Sequence, residues 1–395
     1  MAGMTITDSP AAPTVADPRA AARSARAAIL DARPELDRLR RITPDLLERL
    51  RAAHLFRLYT PVELGGYEAD PVVVAEVYEE LARADGSVAW SVWNGNLGFV
   101  AAHLTDAGVR TVWANGPDPV ICNSARPAGT AVPDGDGYRL SGRWNIVSAV
   151  DSADWITVFG IVLDGAGPRI TPAGGPDLRA FFVRPDQVQI LDSWHVGGMR
   201  GTGSNDVVID AAFVPEELTM HPLGSAHVDR PAYRLPVFTT LASGAAATCL
   251  GIAQAAIDAV VELAPTKATM AGPGLADQAG AQAVLGRASA LLEAARLGMH
   301  RRLAELWATV ADGDEATPAQ RGALRGAISL AAEVAREVTT SMYQLGSSAA
   351  LYEGHPLERA MRDVHAAAQH VLVQPINYEL AGRTLLGMDP GALVY

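Results

Sequence analysis

The chain has 395 residues, 49% of them hydrophobic and 19% charged, with a net charge of −12. That is enough apolar material for a large core and two or three domains. The acidic balance argues against a nucleic-acid surface, which needs a basic patch, and no run of about 20 uninterrupted apolar residues supplies a membrane span.

In chain order, residues 1–20 are rich in Ala, Pro, Thr and Asp. They lack the basic and apolar regions of a signal peptide and predict a disordered leader. Residues 21–116 read as a helical domain. Pro34 opens a segment, Glu35 to Leu55, with apolar residues at helical spacing and a break or new start at Thr43-Pro44. Pro71 begins a further helix, Val72 to Arg83, and Asp85 has the character of a helix cap. Gly86 to Leu104 is apolar almost throughout, the pattern of a buried helix. Within it, Trp90, Asn94 and Asn96 are pocket candidates, because a buried amide must either satisfy backbone or face a cavity.

The texture changes near Pro117. Short β-branched and aromatic runs separated by turn residues fill residues 117–230 and predict a small antiparallel barrel or sandwich. Asp134-Gly135-Asp136-Gly137 is one such turn. Ser124 stands at a strand-to-turn junction, and Trp144 and Ser148 share a later strand. Such hydroxyls suit the edge of a planar heterocycle, and an indole suits its wall, although an isolated Ser ordinarily serves local backbone. Trp194-His195-Val196-Gly197-Gly198-Met199-Arg200-Gly201-Thr202-Gly203-Ser204 is a Gly-rich loop able to approach a ligand closely. It lacks the strand-turn-helix setting of a dinucleotide fingerprint. Cys122 and Cys249 are the only cysteines; two distant thiols fit a reducing cytoplasm and predict no metal site.

Residues 231–395 turn helical again. Val237 to Ala264, Ala276 to Val310, Pro318 to Leu345 and Pro356 to Leu386, with short breaks, predict an antiparallel four-helix bundle. In the last, Pro356 to His370 reads as one helix with an Arg359–Asp363 pair at i,i+4. At about 100° per residue Asp363 and His370 share a face and His365 points elsewhere, toward a structural role. Whether His370 is a packed core residue or a base in a buried site stays open on the pattern alone.

Taken together, Ser141-Gly142-Arg143-Trp144, the Gly198 to Ser204 loop running on to Phe213-Val214-Pro215, and Gly346 through Pro356 to Asp363 resemble the acyl-CoA dehydrogenase superfamily. The resemblance implies a homotetramer with a flavin between the middle barrel and the bundle. Two departures matter. The neighbourhood in which many members hold a catalytic glutamate reads Gln369-His370-Val371, and the stretch those members place beside the flavin is Ser124-Ala125-Arg126-Pro127. Trp144 to Ser148, Asp154-Trp155 and Arg362 to His370 are similar instead to the flavin-dependent monooxygenase branch.

That branch implies the oxygenase component of a two-component system. It would use reduced FMN or FAD from a separate reductase and O2, by way of a flavin C4a-(hydro)peroxide, to hydroxylate or N-oxidise a small organic substrate. The absence of a nicotinamide fingerprint agrees with a reductase on another chain. By the same resemblance His370 is the catalytic base, Ser124 and Ser148 border the flavin edge, Trp144 and Trp194 wall its ring, and Gly201, Thr202 and Ser204 shape the site. A further histidine of the branch, eight residues beyond the helix Trp, is Gly98 here. The alternative reading is an acyl-CoA dehydrogenase or oxidase with a relocated carboxylate, Glu353 or Glu262. A flavin-free scaffold is a third.

Overall fold

The computed structural model describes residues 17–172, 174–222, 224–268 and 273–390. The predicted leader lies outside them over residues 1–16, and from Pro18 the chain is already helical. The first helices are α1 (Pro18–Leu39), α2 (Pro44–Ala52), α3 (Pro71–Ala84), α4 (Gly86–Asn94) and α5 (Asp106–Val112). Pro34 lies inside α1 rather than opening a new segment, whereas Thr43-Pro44 is a true start: the Thr43 hydroxyl accepts from the Leu46 amide. Asp85 caps α4, its carboxylate accepting from the amides of Ser87 and Val88.

Eight strands follow: β1 (Ile121–Asp134), β2 (Gly137–Val147), β3 (Trp155–Asp164), β4 (Gly167–Pro168), β5 (Leu178–Val183), β6 (Gln189–Leu191), β7 (Asn205–Pro215) and β8 (Thr219–Met220). They form one sheet in the order β6-β7-β2-β1-β3-β5-β8, with β4 on β3. The sheet is mixed, not antiparallel throughout, because β1 and β3 run parallel. The cause is topological. β1 and β2 form a hairpin at Asp134-Gly137, with Gly135 at φ 58°. The chain then makes a short turn at Val150–Ser152 and adds β3 beside β1, on the side away from β2. Two reversals return β3 to the direction of β1.

The C-terminal part holds α6 (Pro231–Arg234), α7 (Val237–Leu263), α8 (Ala279–Ala311), α9 (Pro318–Gly346), α10 (Pro356–Ala367) and α11 (Ile376–Leu385). The predicted fourth bundle helix is therefore two, α10 and α11, parted by a single 3-10 turn at Val371–Val373. His370 is not on α10; it caps that turn. The predicted Arg359–Asp363 pair is also replaced: Arg359 bridges Asp37 and Asp85, and Arg362 pairs with Glu358. α7 is long and apolar enough to cross a bilayer, yet 78% of its most apolar window is buried within the fold. It is the central core helix, packed on α3 and α9.

Two apolar cores result. One joins the N-terminal helices with α7–α10; the other lies on the sheet. Met199, from the Gly-rich loop, is a side chain of the helical core. Its position depends on Gly198, where a Cβ would overlap the carbonyl of Arg362 on α10. The loop can lie against the helix backbone only without a side chain there. Gly198→Ala should therefore cost about 1–3 kcal/mol of stability, read by urea denaturation, as overpacking against rigid backbone does.

Candidate functional site

Met199 organises the site. It sits in the left-handed region (φ 57°) and its amide donates to the Asp363 carboxylate at 2.6 Å. Its carbonyl accepts from the Trp194 indole (3.1 Å) and from the Thr202 hydroxyl (2.9 Å). Asp363 is fully enclosed. Burial, reinforced by Asp85, pushes its pKa up to about 7, against the pull of Arg359, the Met199 amide and Arg362. Arg200 donates to the Asp37 carbonyl and ties the loop to α1.

From Met199 a chain of hydroxyls runs into the core. Thr202 Oγ1 lies 2.7 Å from Ser204 Oγ, Ser204 lies 2.8 Å from Ser148, and Trp90 Nε1 donates to Ser148 Oγ at 3.2 Å. In each hydroxyl–hydroxyl contact either oxygen can be the donor. With the Trp90 indole on one lone pair, Ser148 keeps a second lone pair as an acceptor site.

At the far end Trp90 meets an aromatic cluster. Trp90 and Trp93 stand edge-to-face at 4.7 Å, and the His370 ring lies 5.3 Å from Trp90 and 5.5 Å from Trp93. Trp93 is admitted by Gly244 on α7, where a Cβ would overlap its indole. His370 Nδ1 accepts from the Leu372 amide at 3.3 Å. The neutral ring therefore carries its hydrogen on Nε2. Burial pulls its pKa down to about 4, which leaves the imidazole uncharged at pH 7.

The structure thus gathers Trp90, Ser148, Trp194, Thr202, Ser204 and His370 into one connected constellation. Other predicted site residues fall elsewhere. Trp144 is wholly buried, donates to the Phe159 carbonyl (2.9 Å) and lies beneath Gly129 and Gly142; it is sheet core, not a ligand wall. Asn96 is wholly buried and clamps Leu55 and Leu58 by backbone hydrogen bonds at 2.6 and 2.9 Å. Both ends of its amide are engaged, so it is not a pocket residue. Asn94 donates to the Trp90 carbonyl one turn back. Gly201 permits close approach of Ser87 and Leu36. Ser124 sits at a β1–β3 register slip, and no hydrogen bond among the described residues joins it to the relay.

Gly98 is explained sterically: a Cβ there would overlap Thr60, so no histidine fits at that place. His365 approaches Thr340 at 3.4 Å on the α9 side, away from the Trp cluster. Glu262 and Glu353 are both exposed. Glu262 lines a charged cleft with Arg83 and Asp258, not the aromatic cluster. Sequence reasoning passed over three residues. Trp93 is signalled by its i,i+3 spacing from Trp90. Met199 carries no signal beyond its glycine neighbours. Ile146 is 60% exposed and holds φ 58°, an outlier for a β-branched residue, two positions before Ser148.

Residues 18–111 match the family described as acyl-CoA dehydrogenase, N-terminal domain, and residues 243–375 the acyl-CoA dehydrogenase, C-terminal domain. The chain is 30% identical over 360 residues to the indole-3-acetate monooxygenase of Pseudomonas putida, covering 90% of both. It is 30% identical to HsaA, the oxygenase subunit of a flavin-dependent monooxygenase of Rhodococcus jostii, covering 86% of this chain and 90% of that one. The structure of XiaF from Streptomyces sp., in complex with FADH2 and glycerol, superposes with a TM-score of 0.88 at 26% identity, covering 96% and 98%.

The depressed pKa of His370 has a measurable consequence. On acidification the unfolded chain takes up this proton near pH 6.5 and the fold does so only near 4, so stability is lost as pH falls through that window. Asp363, raised from 3.8 to about 7, acts in the opposite sense. The difference between His370→Gln and the parent isolates the imidazole. The variant should gain stability relative to the parent between pH 7 and 4.5 in thermal denaturation; parallel curves would contradict a buried neutral ring.

Proposed function

The chain belongs to the acyl-CoA dehydrogenase family, and from that premise we propose that it is a reduced-flavin-dependent monooxygenase, the oxygenase component of a two-component system. Reduced FMN or FAD would come from a separate reductase, and the substrate would be a small organic molecule. The observation that carries this reading is the buried hydroxyl relay that ends at Ser148 beside the Trp90 indole. Ser148 keeps a free lone pair, which suits the N5–H of a reduced flavin.

When bound, the reduced flavin supplies the activation of O2. The protein's residues do the rest. Ser148 would hold the flavin edge, with Ser204 and Thr202 bonding it back to the Met199 carbonyl. Trp194 is held in place by the same carbonyl. Trp90 and Trp93 keep water from the reacting atoms, which protects a reactive oxidant from hydrolysis. His370 presents a neutral Nε2–H among them. The sequence points to this residue as a base. Its Leu372 hydrogen bond favours a donor to a substrate or oxidant oxygen, and proton removal by it requires Nδ1 to release that amide.

The dehydrogenase alternative needs a carboxylate at the reacting carbon. Glu262 and Glu353, both exposed, give it no support. The exposed apolar side chains Leu351, Tyr352, Val371, Leu385 and Leu386, 66–86% accessible, favour coverage by a second copy and fit a homotetramer.

Stopped-flow mixing of the anaerobic reduced-flavin complex with O2 tests the reading. A transient flavin absorbance distinct from the oxidised form is expected, and immediate reoxidation without one would refute it. Ser148→Ala should shorten that transient about five- to ten-fold, the equivalent of one hydrogen bond of roughly 1–1.4 kcal/mol.

A further inference from the structure

Strands β2 and β7 pair Gly142 with Ile209, Arg143 with Val208 and Trp144 with Val207; the next pair is Val147 with Asn205. Three steps on β2 are matched by two on β7, so Asn145 and Ile146 together oppose Asp206. This is a β-bulge, and its extra residue reverses the parity of the strand. Side chains alternate along a regular strand, which would put Trp144 and Ile146 on one face and turn Val147 to the other. Instead Trp144 and Val147 are both wholly buried, while Asn145 and Ile146 are both exposed. Ser148 follows Val147 directly, so the bulge decides which way its hydroxyl turns.

The bulge is strained. Ile146 holds φ 58°, a conformation that a β-branched residue rarely adopts, and at 60% exposure it has no core packing to lock it as Met199 has. Asp206 supplies the hold. Its Oδ1 accepts from the Ile146 amide at 3.2 Å, and its Oδ2 accepts from the Asn145 side-chain amide at 2.6 Å and from Arg143 at 2.8 Å. Burial works against the charge, but the bonds from Arg143, Asn145 and the Ile146 amide prevail and keep the carboxyl below its ordinary range. On the other side of Ser148, Ala149 is also left-handed (φ 63°), and its amide donates to the Thr202 carbonyl at 2.8 Å. Ser148 therefore hangs between two left-handed residues. The same corner of β7 holds the Trp194 segment: the Asn205 side-chain oxygen accepts the amides of Ser193 and Trp194, and the Asp206 amide donates to the Ser193 hydroxyl.

We propose that Asp206 is a positioning residue of the monooxygenase site: its carboxylate clamps the β2 bulge and so directs the Ser148 hydroxyl into the relay and toward the flavin edge. The inference rests on the monooxygenase reading for what Ser148 does, and not for how Ser148 is placed.

Two readouts separate these. The first needs no flavin. The Trp90 indole N–H donates to Ser148 Oγ, so its hydrogen exchange, followed by NMR on the full chain, reports where that hydroxyl lies. Asp206→Ala should speed this exchange about ten-fold, as should Ser148→Ala, the loss of one hydrogen bond. The Trp144 indole, bonded to the Phe159 carbonyl before the bulge, should keep its parent rate. Adding Ile146→Gly to Asp206→Ala should bring Trp90 back to within about two-fold of the parent, because Gly takes a positive φ without the carboxylate. If Asp206→Ala does not fold, Asp206→Asn serves: its amide turns a donor toward the Asn145 and Arg143 donors. The second readout is the transient absorbance on mixing the reduced-flavin complex with O2. Asp206→Ala should shorten it about five- to ten-fold, and the double variant with Ser148→Ala no further than Ser148→Ala alone, because both act through one contact. An unchanged Trp90 rate, equal acceleration at Trp144, no rescue by Ile146→Gly, or additive shortening in the double variant would overturn the proposal. A parent protein with no transient would count against the monooxygenase reading alone, and the exchange rates would still decide the clamp.

Discussion

The hydrogen bond from the Met199 amide to the Asp363 carboxylate is the contact on which the site depends. It fastens a loop that leads into β7 to a helix near the chain's end, 164 residues on. The hydroxyl relay hangs from the other side of the same residue: the Met199 carbonyl takes Trp194 and Thr202, Thr202 bonds Ser204, and Ser204 bonds Ser148. The non-glycine left-handed conformation of Met199 persists because its side chain is locked in the helical core while both its backbone groups are bonded. Gly198 makes the approach possible by letting the loop touch the α10 backbone.

A second consequence is the separation of charge. Asp37, Asp85, Arg33 and Arg359 form a partly buried ionic cluster on one side of Met199, beside Asp363. On the other side stand hydroxyls, indoles and a neutral imidazole. A single residue divides them. This layout suits chemistry in which water and stray protons must be kept away from an oxidant, and suits poorly the abstraction of a carbon-bound proton by a carboxylate.

Much of this was legible in the sequence, but unevenly. Helix starts with a Pro after a capping residue, as at Thr43-Pro44, and the turn at Asp134-Gly137 are local signals, and the structure carries both. The helix–sheet–helix order followed from the change of periodicity. Strand pairing did not, because nothing in β3 records that it joins β1 rather than β2. The break after Ala367 was hidden by an Ala-rich sequence that is helical by propensity, while His370 leaves the helix to cap the next turn. His370, Ser148 and Ser204 were singled out by motif resemblance, but the hydrogen bond between the two serines was not legible. Trp144 and Asn96 were misplaced because a buried indole or amide looks the same in a sequence whether it faces backbone or ligand.

The most direct measurement supplies reduced FMN or FAD and a small organic substrate to the protein under isotopically labelled O2, and weighs the product. The reading of the chain as a monooxygenase predicts one labelled oxygen atom in the product and the second recovered in water. Product free of the label, or a desaturated acyl thioester formed without any uptake of O2, would contradict it.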